Sequence, residues 1–161
     1  MNEINRDGVC CFTGHRPEKL GLPENEVKER LAFAVKKAVE YSFNTFISGM
    51  ARGVDIWGAE AVLELKRNNN NIKLICALPH PDFEKRWSKA NQDSFNSILE
   101  RADEVHTICD TFSMGAYMKR NKWMVDRSSL VIAFYNGAQG GTKNTIDYAI
   151  NNDVKIIYLN K

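Results

Sequence analysis

Leu130-Val-Ile-Ala-Phe-Tyr-Asn-Gly-Ala-Gln-Gly-Gly-Thr-Lys-Asn-Thr-Ile-Asp-Tyr-Ala149 decides the reading of this chain. Its opening, Leu130 to Tyr135, is continuously apolar rather than alternating, the pattern of a strand covered on both faces. A central strand of a parallel sheet is therefore expected. The following Asn136-Gly-Ala-Gln-Gly-Gly141 holds three glycines, Gly137, Gly140 and Gly141, which allow positive φ and close approach of a ligand to the backbone. Thr142 then suits a helix N-cap, and Ile146, Ala149 and Ile150 recur at helical spacing. A strand, a glycine loop and a helix start form the elements of a phosphate cradle.

The charge at that helix start bears on the same point. A helix N-terminus presents unpaired N–H groups and about half a positive charge. Here the capping-box position is Thr145 rather than Glu or Gln, and the first turn carries the cation Lys143. The end is short of negative charge. An acid would be worth only about 0.3–1 kcal/mol there, so a plain structural turn is the competing reading.

Outward from this stretch, 161 residues suit one domain with a substantial core. Hydrophobic residues make up 43% and charged residues 26%, the balance of a soluble globular chain. Against 20 acidic residues stand 22 basic ones, and a net charge of +2 gives no general attraction to nucleic acid or membrane. No apolar run approaches the ~20 residues of a membrane span, and the first residues lack a signal-peptide core. A cytoplasmic protein is expected. Cys10, Cys11, Cys76 and Cys109 have no metal-ligand spacing, and three lie in apolar runs. Buried, reduced thiols and no metal are expected.

Taken in order, the chain alternates strand and helix. Gly8 to Phe12 reads as a first strand running into Thr13-Gly14-His15-Arg16-Pro17. Glu24 to Tyr41 is an amphipathic helix with Val27, Leu31, Ala34, Val35 and Ala38 on one face. Thr45 to Gly49 is a second strand, followed by the loop to Gly53 and a helix through Ile56, Ala59, Leu63 and Lys66. Lys73 to Leu78 is a third strand. Phe83, Trp87, Ala90, Ile98, Leu99 and Ala102 fit one long helix, or two broken near Gln92 and Asp93. Asp103 to Cys109, Gly115 to Asp126 and Val154 to Leu159 complete the set as strand, helix and strand. This alternation predicts an α/β fold: a single-domain, Rossmann-like, doubly wound sheet, mainly parallel, with helices on both faces.

In such a sheet ligands bind beyond the carboxyl ends of the strands, where strand order reverses. The unusual loops fall there. Thr13, Gly14, His15 and Arg16 follow the first strand. Ser48, Gly49, Arg52, Gly53 and Asp55 follow the second, and Gly137, Gly140, Gly141 and Thr142 follow the fifth. Hydroxyls, small residues, backbone donors and two arginines suit a phosphorylated ribose or nucleotide. His15 could be a general acid or base, a loop donor or a phosphate contact. Asp55 fits a ribose hydroxyl and, equally, the first turn of its own helix. Glu60 reads as a charged rim residue. Lys119 and Lys122 read as a solvated face, and Trp57, Trp87 and Trp123 as core aromatics before base-stacking ones.

Phe12-Thr-Gly-His-Arg-Pro17, Phe46-Ile-Ser-Gly-Met-Ala-Arg-Gly-Val-Asp55 with Ala59 and Glu60, Arg120-Asn121 with Met124-Val-Asp126, and Gly140-Gly-Thr142 with Thr145 together resemble the YpsA-like proteins. These motifs run in order over nearly the whole chain. That family lies in the SLOG superfamily, with the DNA-processing protein DprA (Smf) and the LOG phosphoribohydrolases. The resemblance implies a Rossmann-like fold and a pocket for a nucleotide or a derivative such as NAD or ADP-ribose. It places Arg120 and Asn121 at the site, where a planar guanidinium can grip phosphate. LOG enzymes carry Pro-Gly-Gly-x-Gly-Thr-x-x-Glu. Matching its Gly-Thr to Gly141-Thr142 puts the required glutamate on Thr145, which has no carboxylate.

Nucleotide binding of a sensor type is therefore the first expectation. LOG-like cleavage of a nucleoside monophosphate N-glycosidic bond is the alternative, with Arg120, His15 and Glu60 as candidate catalytic groups and Asp147 or Glu60 as a displaced acid. Single-stranded DNA binding of the DprA kind ranks third, since the near-neutral charge lacks a broad basic groove. The expected partner is a small-molecule nucleotide rather than nucleic acid. A homo-oligomer is compatible with the sequence, and cell-division proteins enter by the resemblance alone.

Overall fold

A computed structural model describes residues 5–160 of the chain. Six strands are all paired in parallel, in the order β4-β3-β2-β1-β5-β6. The strands are β1 Val9–Gly14, β2 Thr45–Ser48, β3 Lys73–Leu78, β4 Glu104–Thr107, β5 Leu130–Phe134 and β6 Lys155–Tyr158. Between them run α1 Glu24–Glu40, α2 Val54–Lys66, α3 Lys89–Arg101, α4 Ala116–Asp126 and α5 Gly141–Asn151. A short 3-10 turn, Pro17–Lys19, follows β1. This is the α/β, Rossmann-like sheet that the alternation of elements predicts.

All five residues of β5 are buried, and its neighbours β1 and β6 satisfy both edges. Burial on two faces explains its continuous apolar sequence. Cys10, Phe12, Phe46, Leu74, Ile132 and Phe134 project to one side, against Val27, Leu31 and Val35 of α1, Ala59 and Val62 of α2, and Phe95 and Ile98 of α3. Cys11, Ile47, Ala77, Val131 and Ala133 project to the other, against Met124 and Val125 of α4 and Ile146 and Ala149 of α5. Helices thus cover both faces. The thiols of Cys10, Cys11 and Cys76 are buried and free, and burial pushes those of Cys11 and Cys76 up to about 12. Among the described residues no helix is long and apolar enough to cross a membrane.

Three expectations need correction. The helix reaching back to Phe83 starts at Lys89 instead, because Ser88 caps it by accepting from Asn91 N at 3.2 Å. Phe83 and Trp87 lie in the preceding turns, and their helical spacing reflects an edge-to-face cluster with Phe95 at centroid distances of 5.3–5.6 Å. Gly140, not Thr142, caps α5: its φ of 139° turns the chain into the helix where a β-carbon would be strained. Ile150 is exposed, so the buried stripe of α5 ends at Ala149.

Helix α2 lies close enough to β1 that a β-carbon on Gly58 would stand 2.8 Å from the Phe12 ring. Alanine normally improves a helix interior by about 1 kcal/mol over glycine. At Gly58 the overpacking cost of about 1–3 kcal/mol outweighs it. Gly58→Ala is expected to lower the urea midpoint, and a raised midpoint would contradict this packing.

Candidate functional site

Strands run from β1 to β4 in one direction across the sheet, and the chain then returns to the other side of β1 as β5. The reversal lies between β1 and β5, where Gly14 pairs with Phe134 and His15 N donates to Phe134 O at 3.3 Å. Beyond these strand ends opens a cavity of about 550 Å³. Thr13, Gly14, His15, Arg16 and Lys19 line it from the β1 side, Gln139 to Thr142 from the β5 side, and Tyr117, Arg120 and Asn121 from α4. Ala51 and Asp55 close the β2 side.

The α5 end of this cavity has the local chemistry of an anion site. The helical ladder begins with Asn144 N donating to Gly140 O at 3.1 Å, so the amides of Gly141, Thr142 and Lys143 have no intrahelical acceptor. No side chain caps the helix and no acid lies in its first turn. The Lys143 ammonium donates to Asp147 at 2.6 Å and does not line the cavity. Opposite stands His15, 6% exposed, its ring stacked on Tyr135 at 5.5 Å and its buried Nε2 without a hydrogen-bond partner among the described residues. Burial, and then the charge of Lys19, lower its pKa and favour the neutral imidazole.

The loop after β2 is built as a support. Ser48 Oγ donates to Asp55 O at 2.7 Å and accepts from Met50 N at 3.1 Å. That bond holds Met50 at a φ of 61°, a left-handed conformation costing about 1 kcal/mol or more in a non-glycine residue. Asp55 Oδ2 accepts from Ala51 N at 3.3 Å. A β-carbon on Gly49 would lie 2.9 Å from Arg120 Cζ and from Asp55 Oδ2, so the small residue lets both side chains reach this turn. A β-carbon on Gly53 would stand 2.8 Å from Pro17 Cδ, which ties the first two loops together.

Arg120 is 4% exposed and donates to Gly49 O at 2.5 Å, to Ala77 O at 3.4 Å and to Asn121 Oδ1 at 2.8 Å. It thereby braces β2, β3 and α4 from within while contributing to the cavity wall. Burial raises the Asp55 carboxyl to about 6, against the opposing effects of the Arg120 charge and the Ala51 amide. With its folded pKa above the unfolded value, Asp55 favours the fold most below pH 4, and that contribution is lost as pH rises through 6. Two pKa units correspond to about 3 kcal/mol. Between pH 4 and 7.5, Asp55→Asn is therefore expected to gain up to about 3 kcal/mol relative to the unsubstituted protein in urea unfolding. A pH-independent difference would contradict it.

The residues singled out in the sequence separate into lining and supporting sets. Thr13, Gly14, His15, Arg16, Asp55, Arg120, Asn121, Gly140, Gly141 and Thr142 meet at the cavity. Ser48, Gly49 and Gly53 shape the adjoining loop without lining it, and Gly137 lies beside Tyr135 and Asn160. Thr145 is fully buried and donates to Gly141 O at 2.9 Å, so its hydroxyl braces the first turn of α5. Arg52 and Glu60 border neighbouring cavities instead. Lys19, Ala51, Tyr117 and Gln139 line the cavity as well. Tyr117 precedes Arg120 by three residues on one helix, a spacing that places both on one face. Lys19 has no comparable sequence signal. No cluster of His, Cys, Asp or Glu among the described residues could hold a metal ion.

The model of the YspA SLOG family (YpsA) matches residues 10–158, which takes in every strand that borders this cavity. The chain belongs to the YpsA family. Among YpsA-family relatives, a UPF0398 protein of Bacillus pumilus is 27% identical over 94% of this chain and 87% of its own length. The SPbeta prophage-derived protein YoqJ of Bacillus subtilis is 28% identical over 77% of this chain and 80% of its own. The YpsA fold is shared with two solved DNA processing A proteins. That of Streptococcus pneumoniae has a TM-score of 0.65 at 17% identity over 93% of this chain and 49% of that one. That of Helicobacter pylori has a TM-score of 0.68 at 18% identity, over 93% and 64% respectively. This chain thus spans about half to two thirds of those larger proteins.

Proposed function

We propose that this YpsA-family protein binds a nucleotide or nucleotide derivative and acts as a sensor of it rather than as a hydrolase. The observation that carries this reading is the α5 start, which no side chain caps and whose amides have no acid of their own, at a cavity that also receives Arg16 and Lys19. A phosphate accepts from the amides near Gly141, and the two exposed cations complete its neutralisation. The ribose meets Thr13, Asp55 and Asn121. Arg120, spent largely on backbone carbonyls, holds the wall in shape.

Calorimetric titration with AMP, NAD and ADP-ribose tests the reading. At least one is expected to bind in the micromolar range, and heats at the dilution level for all three at millimolar concentration would overturn it.

One observation favours hydrolysis as the second reading: Asp55 is a carboxylate at the cavity, whereas Thr145 carries none and Glu60 and Asp147 lie outside its lining. Release of free base from a nucleoside monophosphate, abolished by Asp55→Asn, would place hydrolysis first.

A further inference from the structure

Beside the phosphate cavity lies a second one of about 400 Å³, and the two share Arg16, Ala51 and Tyr117 in their walls. The shared residues make them neighbours along one continuous surface. The second cavity adds Arg52 and Arg86 together with the aromatic side chains of Phe83 and Trp87, and no acid lines it. Its cations are largely uncommitted. The side chains of Arg16 and Arg86 have no hydrogen bond or ion pair among the described residues, and that of Arg52 faces only Glu18, at 3.8 Å with both side chains well exposed. Trp87 is held edge-to-face against Phe83 and Phe95, so the aromatic wall is fixed by packing rather than by a ligand.

Three arginines without a lining acid leave a concentration of positive charge that calls for an anion. Planar guanidinium groups match phosphate oxygens two at a time, and the adjoining rings offer an apolar surface to a base or sugar. A mononucleotide seated on α5 would leave this chemistry unused. We propose that the second cavity is a subsite for the distal half of a two-ended, pyrophosphate-bridged nucleotide. The pyrophosphate starts at the α5 amides and runs toward Arg16, which both cavities share, Arg52 and Arg86 reach toward its far end from the second cavity, and the distal sugar or base rests against Trp87 and Tyr117. This assignment rests on the nucleotide reading of the first cavity and specifies its ligand class.

The test compares ADP-ribose with AMP by calorimetry, on the unsubstituted protein and on Arg86→Glu and Arg52→Ala. Both positions are solvent-accessible, so the variants should keep the wild-type melting temperature. The unsubstituted protein is expected to prefer ADP-ribose by roughly 10- to 100-fold, the worth of one or two charge-assisted hydrogen bonds. Arg86→Glu is expected to abolish that preference, and Arg52→Ala to reduce it several-fold. Equal affinity for the two ligands, or a preference indifferent to both variants, overturns the subsite while leaving the phosphate site standing. A variant that weakens both ligands by the same factor overturns the division into two halves. Failure of both ligands to bind removes the nucleotide reading and the subsite with it. Binding confined to oligothymidylate and weakened by Arg86→Glu would assign the surface to single-stranded DNA and overturn the small-molecule occupant.

Discussion

Replacing Arg120 by methionine is expected to lower the unfolding free energy by about 3 kcal/mol, and Tm by roughly 10 °C for a chain of this size. The aliphatic part of the side chain can be reproduced, but the guanidinium cannot. Without it the carbonyls of Gly49 and Ala77, from the ends of β2 and β3, lose a charged donor in a site excluded from water. Asp55 also loses the positive charge that opposes its desolvation, so its pKa moves higher still and the carboxyl stays protonated at neutral pH. That protonation limits the damage, which is why the loss stays near 3 kcal/mol. Because α4 presents Tyr117 and Asn121 from the same turns, ligand affinity is expected to fall together with stability. Urea unfolding at pH 7.5 checks the first effect. A loss below 1 kcal/mol would mean that the buried guanidinium is not the brace described above.

Gly141→Val is expected to act in the opposite way, weakening nucleotide binding at least 100-fold, about 2.7 kcal/mol, while leaving Tm within about 2 °C. A β-carbon at Gly141 meets no atom within 4 Å, and the residue has no positive φ, so valine fits the backbone without strain. Its methyl groups occupy space where the amides of the first turn are to meet phosphate. Gly140 would be a poorer probe, since its φ of 139° makes any substitution there a change in backbone as well. Circular dichroism melting and calorimetry on the same preparation separate the two effects. An affinity unchanged by valine would move the ligand away from α5.

The contrast between these residues marks what the amino-acid sequence discloses. The central strand was legible because double burial forces a continuous apolar run, Leu130 to Phe134, and α1 because its single buried face repeats Val27, Leu31 and Val35. The switch point followed from the alternation of elements. Periodicity misled at Phe83 and Trp87, because an aromatic cluster in a turn can reproduce helical spacing. Residue type misled by two positions at Thr142, because a glycine with an unusual φ can cap a helix without any side-chain bond.

Within the site, loop position brought Thr13, His15, Gly141 and Thr142 to one cavity. Sequence alone could not separate lining residues from braces. Ser48 and Thr145 carry the hydroxyls expected of ligand contacts and spend them on Asp55 O and Gly141 O. That distinction depends on which way a side chain turns, which local composition does not encode.

The backbone amides themselves offer the most direct test. In a nitrogen-15 correlation spectrum titrated with AMP, the amides of Gly141 and Thr142 should show the largest shifts, because they gain a charged acceptor. Nucleotide binding that shifts other amides while these remain unmoved would contradict a phosphate site at the start of α5.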